Sequence, residues 1–147
     1  MIKILIMGLP GAGKTTFAHK LIDRFQKENK SFSWYNGDHI RKMYNDWDFS
    51  EKGRLRQTKR ITKKANICKE NKIIAICDYV CPTEELRKIF DADITVWIDT
   101  INKGRFEDTN KLFEPPTKYD IKVTDYNIEK WIEDLILRIN NEDNNKE

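Results

Sequence analysis

A chain of 147 residues has room for one compact domain, and it is long enough to bury a core without disulfides or a structural metal. Hydrophobic residues make up 39% of it and charged residues 35%, a composition typical of a globular protein. The longest uninterrupted apolar run, residues 73–77, is far shorter than the roughly 20 residues of a membrane span, and the apolar N-terminal stretch is too short for a signal peptide. We therefore expect no membrane segment and a cytoplasmic location.

The formal net charge of +3 is unevenly distributed. Residues 52–72 contain nine Lys or Arg side chains and one acid, Glu70. Such a block suits nucleic acid or a smaller polyanion such as a nucleotide, and a solvated helix face is the simpler alternative. The cysteines, Cys68, Cys77 and Cys81, are odd in number and lack zinc-finger spacing, which favours free thiols in a reducing compartment.

Hydrophobic periodicity predicts strands that alternate with helices along the chain. Short runs rich in β-branched residues predict strands at residues 2–7, 32–35, 73–77, 94–98 and 121–123. Apolar residues at three- and four-residue spacing predict helices over 17–25, 55–68 and 128–139. Two further helices are expected, one capped by Asp38 and one with Pro82 in its first turn. This order predicts an α/β fold with a mainly parallel sheet of about five strands flanked by helices.

Two stretches depart from this pattern. Residues 102–119 contain two prolines and show no periodicity, so we expect a mobile or functional loop there. Residues 141–147 are polar, and we expect a frayed tail there.

The residues after the first predicted strand match the phosphate-binding pattern G-x-x-x-x-G-K-[ST]. Its glycines let backbone N–H groups approach phosphate closely, and the following helix directs its positive end at the anion. Lys14 supplies a point charge for the β- and γ-phosphates, and the Thr15 hydroxyl is a ligand for Mg²⁺. We therefore expect a nucleotide site formed by Gly8, Leu9, Pro10, Gly11, Ala12, Gly13, Lys14, Thr15 and Thr16.

A second polar group follows the second predicted strand. Parallel strands end at the same edge of a sheet, so Asp38 and Arg41 should lie near the phosphate loop, on one face of a helix. Asp38 can orient or deprotonate an acceptor hydroxyl, or hold Mg²⁺ through water, and Arg41 can bind an anion of the acceptor. A helix cap and a surface ion pair are the simpler alternatives for these two residues.

The ordered blocks GLPGAGKTT, NGDHIR, DFSEKGRLRQTKRI, VCPTEELR, IDT and FEPP resemble those of the adenylylsulfate kinase family, over residues 1 to about 124. The resemblance implies a P-loop nucleoside-triphosphate-hydrolase fold, one kinase domain over residues 1–140, and transfer of the γ-phosphate of Mg·ATP to the 3′-hydroxyl of adenosine 5′-phosphosulfate. It also implies catalytic positions at Lys14 and Asp38. For the acceptor site it implies Asp38, Arg41, Phe49 as the aromatic that stacks on adenine, Arg54, Gln57, Cys81 and Pro82.

The sequence departs from the family pattern at four places in the expected site, the first of which is Gln57, where the family usually has Asn. Cys81 stands where the family has Ser, and Thr83 where it has Tyr. Asp78 follows a strand, like a Walker B aspartate that holds Mg²⁺ through water, although the family does not usually have an acid there. The Lys- and Arg-rich lid is shortened to residues 101–111, with Lys103, Arg105 and Lys111 as candidate cations.

We therefore expect an ATP- and Mg²⁺-dependent kinase with a small nucleotide-like acceptor, no membrane partner and no nucleic-acid partner; a homodimer is left open. One alternative keeps the mechanism but takes another nucleotide conjugate or small metabolite as acceptor. Another is a non-catalytic module that binds nucleotide or nucleic acid.

Overall fold

The computed structural model describes residues 2–146 of the chain, which alternate between strands and helices. The strands are β1 (Lys3–Met7), β2 (Phe32–Asn36), β3 (Ile74–Asp78), β4 (Ile94–Ile98) and β5 (Ile121–Val123). The helices are α1 (Lys14–Lys27), α2 (Gly37–Tyr44), α3 (Glu51–Glu70), α4 (Glu84–Phe90), α5 (Glu107–Leu112) and α6 (Ile128–Lys146).

The five strands form one parallel sheet in the order β2-β3-β1-β4-β5. Apolar side chains of α1 and α6 pack on one face of it, and those of α2, α3 and α4 pack on the other. The central strands β1 and β3 are buried along their whole length because helices cover both faces, as is usual for parallel sheets. The predicted α/β fold with a mainly parallel sheet of five strands is confirmed.

Local chemistry places some element boundaries differently from the sequence prediction. The N-cap of α2 is Asn36, whose side chain accepts a hydrogen bond from the His39 amide, so the predicted cap at Asp38 is wrong. Thr83 caps α4 with its hydroxyl, and Pro82 therefore precedes this helix instead of lying in its first turn.

Both stretches that were expected to lack regular structure contain helix. α5 lies within residues 102–119, where a stretch without helix was expected. α6 runs on to Lys146 through most of the polar stretch predicted to be a frayed tail, and Glu147 lies outside the described residues.

Candidate active site

A cavity of about 820 Å³ opens at the carboxyl ends of the strands. The phosphate loop lines one end of it, and α2, α3 and the loop between them line the other. Arg105, Phe106, Asp108 and Thr109 border the same cavity. The fold thus brings the phosphate-loop residues and the predicted acceptor residues to a single opening, as expected for a parallel sheet.

The conformation of the phosphate loop depends on glycine at particular positions. A Cβ atom on Gly8 would lie 2.5 Å from the backbone oxygen of Ile98, because the loop crosses directly over the end of β4. Gly13 has a φ of 108° and leads directly into α1, which starts at Lys14. The loop is therefore open to close approach by an anion at the positive end of a helix.

Lys14 lies half-buried beside this loop. Its Nζ donates a hydrogen bond to the Leu9 carbonyl, 3.0 Å away. Burial lowers the pKa of Lys14 to about 8, although Asp78 and Asp38 oppose the shift by attracting its charge. The negative charges of Asp78 and Asp38 therefore do not fully offset the effect of burial on Lys14.

Asp78 ends β3 and is buried against three hydrogen-bond donors. Its Oδ2 accepts from the Thr15 hydroxyl at 3.0 Å and from Asn36 Nδ2 at 2.9 Å, and its Oδ1 accepts from Trp34 Nε1 at 2.6 Å. Burial raises the pKa of Asp78, and the hydrogen bonds from Trp34, Asn36 and Thr15 oppose that rise.

This arrangement fits a Mg²⁺ ion. A hydroxyl and a carboxylate meet at the mouth of the phosphate loop, and oxygen ligands of this kind are the ones that Mg²⁺ prefers. Neither here nor elsewhere among the described residues is there a cluster of three or more His, Cys, Asp or Glu side chains suited to a metal ion.

Asp38 is an exposed residue in the first turn of α2 and lines the cavity. Because Asn36 caps the helix, the Asp38 carboxylate is not needed for that role. It is near enough to Lys14 to influence the pKa of that lysine. A free carboxylate between the phosphate loop and the far end of the cavity can orient a hydroxyl group there.

Two arginines lie close to the exposed ring of Phe49 at the far end of the cavity. The guanidinium of Arg41 lies 4.2 Å from the centre of its ring and that of Arg54 lies 5.5 Å away. Both arginines are buried and support the backbone around Phe49. Arg41 Nη1 donates to the carbonyls of Asp46 and Asp48, and Arg54 Nε donates to that of Phe49, all at 2.9 Å.

The simpler alternative of a surface ion pair is therefore wrong for Arg41, which is buried and bonded to backbone carbonyls. Within the described residues, Arg41 and Arg54 each use two of the five N–H groups of a guanidinium in hydrogen bonds. The remaining N–H groups leave both side chains able to bind an anion.

Gln57 and the loop after β3 also line the cavity, at the end away from the phosphate loop. Gln57 Nε2 donates to the Gly37 carbonyl at 2.8 Å. The Oε1 atom of Gln57 and the hydroxyl of neighbouring Thr58 are buried and have no hydrogen-bond partner among the described residues. Cys81 and Pro82 line the cavity. Burial raises the pKa of Cys81 to about 12, so this residue is a packed thiol and not a thiolate nucleophile.

Part of the segment predicted to be a shortened lid, residues 101–111, borders the cavity. The Thr109 hydroxyl of α5 is buried and accepts a hydrogen bond from Arg54 Nη2 at 3.0 Å. Of the three predicted lid cations, Arg105 lines the cavity. Lys103 instead pairs with Glu107 at 3.5 Å, and Lys111 is exposed on α5 and is not among the residues that line the cavity.

Sequence reasoning missed several residues of the site. Asn36 and Trp34 hold Asp78. Asn36 belongs to the NGDHIR block, but its role and that of Trp34 depend on the pairing of β2 with β3, which the block does not reveal. Phe106 and Thr109 line the cavity from the segment that had no periodicity. The two capping signals at Asn36 and Thr83 could have been read from the sequence, because Asn and Thr are common N-cap residues.

Among the described residues, no helix is both long enough and apolar enough to cross a membrane.

The family model for adenylylsulphate kinase matches residues 1–123. A probable adenylyl-sulfate kinase from Aeropyrum pernix is 37% identical over 89 residues, which cover 60% of this chain and 49% of the relative. The chain thus spans about half the length of the curated relatives it matches.

Solved structures show the same fold. The APS kinase of Mycobacterium tuberculosis, in complex with AMPPNP and APS, has a TM-score of 0.77 at 18% identity, and the match covers 91% of this chain and 94% of that one. A hexameric APS kinase from Thiobacillus denitrificans has a TM-score of 0.75 at 22% identity, covering 95% of this chain and 29% of that one.

Proposed function

This chain belongs to the adenylylsulphate kinase family, and we propose that it transfers the γ-phosphate of ATP to the 3′-hydroxyl of adenosine 5′-phosphosulfate. The observation that carries the proposal is the single cavity that joins the phosphate loop to Phe49 and its two arginines. One end offers N–H groups and a lysine for a triphosphate, and the other offers an aromatic ring and guanidinium groups for a nucleotide that carries an anion. The M. tuberculosis relative, described with AMPPNP and APS, supports the same pair of ligands.

At the phosphate end, the loop residues 8–16 surround the β- and γ-phosphates with backbone N–H groups at the start of α1. Lys14 holds its proton against these phosphates and stabilises the negative charge that develops during transfer. Burial lowers the pKa of Lys14 in the free protein, and the negative charge of bound phosphates favours its protonated form.

Thr15 and Asp78 are the residues that would hold Mg²⁺ in this site. When bound, Mg²⁺ neutralises charge on the β- and γ-phosphates of the nucleotide. Asp78 supplies a carboxylate with a fixed orientation, because both of its oxygens already accept hydrogen bonds from the protein.

At the acceptor end, Asp38 orients the 3′-hydroxyl and accepts its proton, since the carboxylate is exposed to the cavity and has no capping role. The free N–H groups of Arg41 and Arg54 bind the phosphosulfate, and the Phe49 ring stacks on the adenine. Cys81 and Pro82 pack beneath the acceptor, and Gln57 lies beside them.

The test uses ATP labelled in its γ-phosphate, Mg²⁺ and a panel of acceptors: adenosine 5′-phosphosulfate, its 3′-deoxy analogue, AMP and a short oligonucleotide. We expect label to be transferred to adenosine 5′-phosphosulfate and to nothing else on the panel. The matched control is Lys14→Ala, which should fold and transfer no label. Preferred labelling of AMP or another acceptor would refute the substrate assignment, and steeply salt-dependent binding of the oligonucleotide would favour a nucleic-acid module.

The setting of the reaction is part of the same proposal. We place it in sulfate assimilation and in the cytoplasm, in keeping with three buried free thiols. A homodimer is the proposed assembly, and the hexameric relative supports self-association. Light scattering at several protein concentrations tests this part.

A further inference from the structure

Asn36, the last residue of β2 and the first of the NGDHIR block, has polar partners on three separate parts of the fold. It is buried, with 6% of its surface exposed. Its Nδ2 donates to Asp78 Oδ2 at 2.9 Å and lies 3.2 Å from the Thr15 hydroxyl, and its Oδ1 accepts from the His39 amide at 3.1 Å. One amide thus touches the phosphate loop, the end of β3 and the start of α2.

The pairing of the strands explains these contacts. In the parallel register of β2 and β3, Asn36 stands directly beside Asp78. We propose that Asn36 is a positioning residue that fixes Asp78 and Thr15 for the metal ion while it caps the helix that carries Asp38. This inference rests on the proposed Mg·nucleotide site.

The chemistry of the side chain suits this double task. Asn carries a donor at one end of its amide and an acceptor at the other, so it can hold a carboxylate and cap a helix at once. A serine could cap α2, but it is too short to reach Asp78. Trp34 holds the other carboxylate oxygen at 2.6 Å, so Asn36 and Trp34 together determine the orientation of Asp78.

The first test is Asn36→Ser, read out by calorimetric titration with ADP in the presence and absence of Mg²⁺. Loss of a residue that orients metal ligands typically weakens metal binding about 10- to 100-fold. We expect the gain in ADP affinity from Mg²⁺ to fall by about that factor, whereas metal-free ADP affinity changes by less than about threefold. Asn66→Ser is the matched control, because it removes an amide that pairs with Lys3 away from the cavity, and it should keep the wild-type gain.

The second test exchanges the two side chains. Asp78→Asn should lose most of the gain from Mg²⁺, and the double variant Asn36→Asp/Asp78→Asn should recover at least about tenfold of it. The carboxylate then stands on the neighbouring strand, still beside Thr15, and Asp remains a good cap for α2. If Asn36→Ser does not fold, this pair of variants decides alone.

Asn36→Ala tests the capping role separately from the positioning role. Alanine cannot cap α2 whereas serine can, so the melting temperature of Asn36→Ala should be about 2–6 °C below that of Asn36→Ser. The positioning role is overturned if Asn36→Ser keeps the wild-type gain from Mg²⁺, or if the double variant does no better than Asp78→Asn. These titrations use no acceptor. A wild-type protein that binds Mg·ADP but phosphorylates no acceptor would refute the proposed function and leave this inference standing.

Discussion

Nucleotide binding should be coupled to protonation of Lys14. Burial lowers the pKa of this lysine to about 8 in the free protein. A bound phosphate anion favours the charged form, so the pKa in the complex should return towards its ordinary value of about 10.4. Affinity is therefore full below pH 8 and falls as the pH rises above it, until the pH reaches the pKa of the complex.

The size of the effect follows from that pKa. Between pH 7.5 and 9.5 the neutral fraction of Lys14 in the free protein rises enough to weaken nucleotide binding about 20-fold. At pH 9 nearly all free protein must take up a proton on binding, about 0.9 per nucleotide, whereas at pH 7 the uptake is about 0.1.

Calorimetric titration with Mg·ADP in two buffers of different ionisation enthalpy measures this uptake directly. In Lys14→Arg the cation stays charged at every pH used, so uptake at pH 9 should vanish. Lys20→Ala, a lysine variant on the exposed surface of α1, should behave as wild type. Absence of uptake at pH 9 in the wild type, or equal uptake in Lys14→Arg, would refute the assignment of this coupling to Lys14.

Three further predictions address other parts of the site. Asp38→Asn should lower kcat about 10²- to 10⁴-fold with little change in ATP affinity or stability, because Asn36 is the cap; a nearly neutral effect on steady-state rates would exclude a catalytic Asp38. Gly8→Ala should destabilise the fold by about 1–3 kcal/mol in urea unfolding, because its Cβ would lie 2.5 Å from the Ile98 oxygen, and an unchanged midpoint would contradict this packing. Amide hydrogen exchange over residues 101–112 should slow when nucleotide and acceptor bind together, and unchanged exchange would mean that this segment does not close as a lid.

Much of the fold follows from local patterns. The predicted strands at residues 94–98 and 121–123 coincide with β4 and β5. Those at β1 and β2 differ by one residue at one end, and the one at β3 is shifted by one residue. Short β-branched runs between amphipathic helices leave a parallel sheet as the arrangement that buries both faces. The phosphate loop is also a local feature, since its glycines, lysine and threonine lie within eight consecutive residues, 8–15. The sequence alone therefore determined the fold class, the family and the position of the phosphate loop at one end of the cavity.

The remaining features depend on contacts between residues far apart in the chain. Asn36, and not Asp38, is the N-cap of α2. Its side chain is buried at the end of β2, where it contacts both the start of the helix and β3. Thr109 lies in a segment without periodicity and becomes part of the site only because α5 packs on Arg54. Asp78 meets Thr15 across 63 residues because β1 and β3 are neighbours in the sheet. Strand order and register, which no local pattern encodes, therefore decide which side chains share the cavity.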